Sequence, residues 1–287
     1  MKEISNRRIE WVELQEELDF RLFKIEDILS FEPSLKKNPF RPHRTNFFTL
    51  LLLTKGEMSH EVDFKAYKMV KGDCLFISKE QIHKFDASPS YEGYGFVFTE
   101  EFMLQHFSLS AFSKISFLYN YHLIPPLFKD FGDQAIFLRA LKREFSLELG
   151  EVEMDVVASI LSVFLLKAQF HLGYELKSNN GDYTQFIQFQ KLVATKYMET
   201  RITKHYALLL NMTHKQLNSL CKTFTKMTAK EYIINYLIME AKRQLATTNL
   251  PVKQIAFECG FDEATNFLKF FKKNTGMTPT IFREIGH

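Results

Sequence analysis

The sequence predicts an α+β protein: a strand-rich N-terminal part followed by helices, then an all-α domain of two helix-turn-helix units joined by a long helix. Three observations carry this. From Thr45 to about Phe98 the apolar segments are short, rich in Phe, Leu, Ile, Val and Tyr, and broken by turn residues. From about Phe131 to His171 apolar residues recur at three- and four-residue intervals. After Tyr183 a segment repeats with a period of about fifty residues.

At 287 residues the chain is long enough for two domains, each with its own core. The boundary falls in "GYELKSNNGDYTQ", where Ser178 to Asp182 form a polar, turn-rich cluster between helical patterns. The domains expected are therefore residues 1–178 and 183–287.

The first twenty residues, "MKEISNRRIEWVELQEELDF", are charged throughout and do not read as a secretory signal. The strands that follow are punctuated by Lys55-Gly56, Asp63, Gly72-Asp73, Ser88-Pro89 and Gly93. That pattern suits an antiparallel barrel or sandwich. The segments "DQAIFLRALKREFSLEL" and "EMDVVASILSVFLLKAQF" then carry the helical period. The apolar run Val156 to Leu166 is followed by Lys167 and is expected to be too short for a bilayer, so no membrane partner is expected. Cys74, Cys221 and Cys259 are odd in number and far apart, and none forms a C-x-x-C pair. Neither a disulfide framework nor a zinc site is suggested, and a reducing cytoplasm is the expected home.

In the C-terminal part, "YALLLNMTHKQLNSLCKTFTKMTAKEY" aligns with "IAFECGFDEATNFLKFFKKNTGMTPTIF". Ala207 matches Ala256 and Asn211 matches Gly260. After one inserted residue, Leu217 matches Phe267 and Cys221 matches Phe271. Each copy reads as a helix-turn-helix. Pro251 suits a helix start, where its missing N–H is not needed. Gly260 and Asn211 suit the left-handed position that ends the first helix. Asp262 and Thr213 stand where N-caps of the second helices belong. Between the copies, Ile233, Ile234, Leu237, Ile238, Ala241 and Leu245 follow a helical period. A connector of about 18 residues spans about 27 Å, enough to set two recognition helices about one DNA turn apart.

Projected at 100° per residue, Phe267, Phe270 and Phe271 share one face of the last recognition helix. Thr265 and Lys269 point away from it, with Lys272 beside them and Leu268 and Lys273 on the flanks. In the first copy Leu217, Leu220, Cys221 and Phe224 form the inner face. Lys215, Ser219 and Lys222 lie outside, with Asn218 on the flank. A solvated amphipathic helix would explain either copy alone. It explains less well two copies with matching outward positions in a basic domain. From Tyr183 onward there are 15 Lys+Arg and 7 Asp+Glu, a balance of +8 within a chain of net charge +3. Such asymmetry points to a polyanion as partner.

The residues "A-K-R-Q-L…P-V-K-Q-I-A-F-E-C-G-F-D…F-L-K-F-F-K-K-N-T-G-M-T-P-T-I-F-R" resemble the signature of the AraC/XylS transcription regulators, from about Tyr183 onward. The Gly-Phe turn, the F-K-K-x-x-G-x-T-P segment and the final aromatic-Arg are present. In the first copy Cys221 replaces the common Phe, and "KMTAKEY" lacks the usual Gly. The resemblance implies double-stranded DNA as partner, bound by two units in adjacent major grooves. Position by position, it implies base reading by Lys215, Asn218, Ser219, Thr265, Asn266, Leu268 and Lys269. Leu268 suits a thymine methyl, and Lys and Asn suit guanine and adenine edges. Lys222, Lys272 and Lys273 are better placed for phosphates.

The same resemblance implies an N-terminal cupin-like barrel followed by dimerising helices, hence a homodimer, with RNA polymerase as a further partner. "GDCLFISKEQIHKFDA" resembles the second cupin motif through Gly72 and His83. "RPHRTNF" offers His43 alone, without the H-x-H pair of the first motif. Two candidates fall short of the three or four ligands a metal needs, so neither metal nor cofactor is expected. His43 and His83 read as structural, with contact to a small-molecule effector as the sharper alternative. The function expected is that of a sequence-specific transcription regulator in the cytoplasm, controlled by an effector or by dimerisation. The alternative is a cupin-type metalloenzyme with an accessory DNA-binding tail.

Overall fold

The computed structural model describes residues 20–29, 38–86, 91–115, 118, 121, 124–145, 151–171 and 180–285. The Ser88-Pro89 turn and the Ser178-Asn179 part of the polar cluster lie outside them. The chain divides into two compact units, residues 1–175 and 176–287.

The first unit holds two antiparallel sheets. One has β1 (Phe20–Lys24), β8 (Glu92–Phe98), β3 (Phe48–Lys55), β6 (Cys74–Ile77) and β9 (Leu127–Phe128), in that spatial order. The other runs β2 (His43–Arg44), β7 (Ile82–Lys84), β4 (Glu57–Val62) and β5 (Lys65–Val70). A short helix, α1 (Ile25–Leu29), follows β1. Leu51, Leu53, Leu75, Ile77 and Val97 of the first sheet meet Met58, Val62, Met69 and Phe85 in one core. Apolar side chains thus fill the space between the sheets.

The opposite face of the first sheet carries Phe48, Leu50, Leu52, Phe76, Phe96 and Phe98. It is covered by α2 (Glu100–His106), α3 (Leu109–Lys114), α4 (Gln134–Phe145) and α5 (Glu151–His171). The Phe137 and Phe164 rings stack at 4.0 Å where α4 meets α5. Strand β3 is therefore buried on both faces from Phe48 to Leu53. That is why its sequence is a continuous apolar run instead of an alternation.

Helix α5 corrects the expectation of a short apolar run. By length and composition its stretch Met154–His171 could cross a membrane. Its apolar surface is instead divided. Val157, Ala158, Leu161, Phe164, Leu165 and Ala168 lie in the core. Val156, Val163 and Phe170 lie outside.

The second unit is all helical: α6 (Asn180–Lys196), α7 (Thr203–Leu209), α8 (His214–Thr225), α9 (Ala229–Thr247), α10 (Val252–Glu258), α11 (Ala264–Thr275) and α12 (Pro279–Ile285). Helix α6 begins inside the polar cluster, at Asn180. The rings of Phe186 and Phe189 on α6 pack against Phe224, Tyr206 and Tyr232. A second core gathers Leu237, Ala241 and Leu245 of α9 with Ile255, Ala256, Phe267 and Phe271. The 19-residue connector α9 is about 29 Å long.

Candidate nucleic-acid interface

The two repeats fold alike down to individual hydrogen bonds. Each first helix ends in a left-handed residue, Asn211 (φ 53°) or Gly260 (φ 74°). Met212 N–H then donates to Ala207 O at 2.8 Å, and Phe261 N–H to Ala256 O at 3.0 Å. Both second helices, α8 and α11, are 12 residues long. The Thr225 hydroxyl donates to Cys221 O at 2.7 Å, and Thr275 to Phe271 O at 2.8 Å. The same hydroxyls accept the N–H of the chain that leaves each helix, from Met227 at 3.1 Å and from Met277 at 3.4 Å, and so tie the last turn to it.

The caps differ. Thr213 caps α8 in a full capping box with Gln216. At α11 the N-cap is Glu263, with no side-chain cap bond. The expected cap, Asp262, lies one residue too early, because the single inserted residue of the second copy sits in this junction. Pro251 likewise stands at the N-cap of α10 and not inside it.

At the other end, both helices terminate in a left-handed residue. It is Gly276 (φ 81°) in the second copy but Lys226 (φ 60°) in the first. A side chain there costs about 1 kcal/mol. Lys226→Gly is therefore expected to raise stability by about 0.5–1 kcal/mol. An upward shift in the thermal melt of the full chain would register it, and an unchanged or lower melt would count against it.

The inner faces hold Leu217, Leu220 and Cys221 on α8, and Phe267 and Phe271 on α11, all buried. Phe224 and Phe270 are only half-buried. Lys215, Ser219 and Lys222 are exposed on α8, as are Thr265, Asn266, Leu268, Lys269, Lys272 and Lys273 on α11. Asn218 is different. It is half-buried, and its Oδ1 accepts the Ala229 N–H at 3.0 Å. That bond ties α8 to the start of α9. The closing Phe282-Arg283 pair also has a structural task. Arg283 Nη2 donates to Leu250 O at 2.7 Å and Nε to Leu245 O at 3.3 Å, fastening α12 to the end of α9 and the loop after it.

In the first unit, the barrel histidines form a cluster of three. His43 pairs with His83 across β2 and β7, their rings 4.2 Å apart. His60 on β4 approaches from the other side, its Nε2 3.1 Å from His83 Nδ1. The resemblance to the cupin motifs drew attention to His43 and His83 but not to His60. The signal for His60 was the in-out alternation of β4, in which Met58, His60 and Val62 all point inward. Burial lowers the basicity of all three, and pushes His60 down to about 3. Among the described residues no group of three or more His, Cys, Asp or Glu is arranged to hold a metal ion.

Neither of two cavities among the described residues of this unit is lined by His43 or His83. One is a shallow groove of about 420 Å³ along Asp133, Val163, Leu166, Lys167, Phe170 and His171. The other, about 10 Å³, lies among Phe76, Ser78, Leu118 and Pro126. Burial raises the thiols of Cys221 and Cys259 to about 12, which suppresses the thiolate form.

Comparison with known proteins brings both units together. A family model described as an AraC-like ligand binding domain matches residues 30–114. A helix-turn-helix domain model matches residues 206–285. The HTH-type transcriptional activator RhaS of Yersinia pestis (strain Pestoides F) is 21% identical over 271 residues, covering 89% of this chain and 93% of the relative. RhaS of Pectobacterium atrosepticum is 22% identical over 264 residues, covering 89% and 91%. Among solved structures, ToxT from Vibrio cholerae aligns over 92% of this chain and 97% of its own, at 13% identity and a TM-score of 0.46.

Proposed function

The chain belongs to the AraC/XylS family of transcription regulators, and we propose that it reads DNA through α8 and α11, seated in successive major grooves of one duplex. It is a sequence-specific DNA-binding regulator and not an enzyme. One observation carries the two-groove reading. Two helices with the same internal bonds present matching polar faces, within a half of the chain whose charge balance is +8.

The roles follow from placement. Lys215 and Ser219 on α8, and Thr265, Asn266, Leu268 and Lys269 on α11, are exposed on the outward faces and are proposed to meet base edges. Lys222, Lys272 and Lys273 lie in the last turns of the same helices and are proposed to meet phosphates. Asn218 is assigned mainly to holding α8 against α9, since its oxygen is already engaged.

The test is a binding scan of variants against single-base changes in a duplex selected by the wild-type chain. Lys269→Ala is expected to cost about 1–3 kcal/mol on that duplex and to relax preference at one position. Lys273→Ala should weaken all sequences alike and lower the salt slope by about one unit. Equal loss on every sequence for Lys269→Ala would move that residue to the phosphate group. A wild-type affinity independent of salt would overturn the reading as a whole.

Control is proposed to act through association of the first unit with a second copy. Val156, Val163 and Phe170 are spaced by seven residues along α5 and are 37%, 55% and 82% exposed. A seam of that spacing suits pairing with the same helix of another chain. The space between the sheets, by contrast, is filled by side chains. A small-molecule effector is therefore better sited in the groove along Val163 and Phe170, where it would compete with that pairing, than beside His43 and His83. The named relatives are transcriptional activators, and RNA polymerase, in the cytoplasm, is the protein partner this reading calls for.

A further inference from the structure

Connector α9 is one link between the two helix-turn-helix units, and the second unit of the fold contains another. The segment Tyr197 to Arg201 leaves α6 and enters α7 of the first repeat, yet it lies on the second. Tyr197 is buried in the second core, its ring 5.4 Å from Tyr236. A Cβ on Gly260 would stand 2.0 Å from Met198 O, so the backbone at Met198 presses on the turn between α10 and α11. The Arg201 guanidinium lies 3.9 Å from the centroid of the Phe261 ring. Its Nη2 also donates to Gly260 O. Burial pushes this guanidinium down from its usual range, while Asp262 acts in the opposite direction.

The same segment is fastened to the first repeat. The Tyr206 hydroxyl donates to Thr200 O at 2.9 Å, and Thr200 Oγ1 is 3.1 Å from His205 Nδ1. Upstream, α6 holds the first core through Phe186 and Phe189. The strap is thus anchored at the first repeat, and its free side chain grips the turn that sets the direction of α11.

We infer that Arg201 is a positioning residue that fixes the angle and spacing between the two recognition helices, and so determines which half-site spacing the protein accepts. Connector α9 packs into the second core, and the strap adds a separate attachment at the turn before α11. A second strut closes the loop and makes one rigid reader. When one helix is seated in its groove, the other is then already aimed, and the second contact needs little further ordering. The inference rests on the two-groove reading above.

The experiment uses the full chain and a duplex enriched by it from a random-sequence library. Affinity is measured on that duplex, on one with a half-site scrambled, and on one with a base pair inserted between half-sites. Arg201→Ala is expected to lose about tenfold on the intact duplex and less than twofold on the scrambled one. The penalty for the inserted base pair should shrink, and the salt slope should stay unchanged. Arg201→Lys, which keeps a cation near Phe261, should recover part of the loss. Phe261→Leu, which removes the ring and leaves the arginine, should reproduce the Arg201→Ala pattern. Equal loss on intact and scrambled duplexes, a salt slope lower by about one unit, or an undiminished spacing penalty would each overturn the inference. A wild-type footprint confined to one groove would overturn the two-groove reading itself, and the inference with it.

Discussion

Phe267→Ala is expected to cost about 3–5 kcal/mol and to unfold the second helix-turn-helix. Phe267 is fully buried, with Phe261 at 5.4 Å and Phe271 at 5.8 Å between ring centroids. Its ring links the turn before α11, through Phe261, to Phe271, which in turn meets Phe282 of α12. Removing it leaves a cavity in a core too small to close over it. The loss falls on one repeat, because the first has its own core on α6. The full chain should melt at a lower temperature, and DNase protection should disappear over one groove only. Wild-type melting with a complete footprint would show that the ring contributes no core energy.

Acid is expected to unfold the first unit well before it affects the second. His60 is fully buried, and burial lowers its pKa from 6.5 to about 3. The unfolded chain thus binds the proton more tightly than the folded one. Stability from this group is complete above pH 6.5 and is lost as the pH falls towards 3. For His60 alone the loss is about 2 kcal/mol at pH 5 and about 3 kcal/mol at pH 4. His83 shifts in the same direction, chiefly through burial and then through His43 and His60. Geometry explains the coupling. The bond between His60 Nε2 and His83 Nδ1 needs one donor and one acceptor, so two imidazolium rings cannot keep it. Thermal melts between pH 7 and pH 4 measure the effect. A His60→Leu/His83→Leu variant, which removes both partners together, should lose most of the pH dependence. An equal slope in the variant would place the acid sensitivity elsewhere.

The second unit was far more legible in the sequence than the first. Its repeat, its inward Phe and Leu positions and its left-handed Asn211 and Gly260 are local patterns, set within one or two helical turns. The inserted residue between the turn and α11 moved the cap from Asp262 to Glu263, a shift that alignment of two copies could not resolve. Strand β1 was hidden because its neighbourhood is charged and its partner, β8, lies far along the chain. Helices α2 and α3 are too short to show a period. Arg201 carried no local signal, since its partners Gly260 and Phe261 are distant in sequence. The period placed Asn218 on the flank of α8, but the bond from Ala229 that engages its oxygen is a tertiary one and leaves no mark in the local sequence.

The double burial of β3 bears on how the chain is made. Its "FTLLLL" stretch has no charge and no proline, and it pairs with β6 on one edge and β8 on the other. During translation β3 leaves the ribosome first, then β6, and β8 later still, followed by the helices that cover its outer face. For that interval the nascent chain displays an uncapped, strand-forming apolar segment of the kind that recruits its own copies. Recovery of this protein from an expression host is therefore expected to depend on how soon residues 92–171 follow β3 out of the ribosome. Cooler, slower induction lowers the number of encounters with another nascent β3, and chaperones that hold extended apolar segments act at this point of the chain.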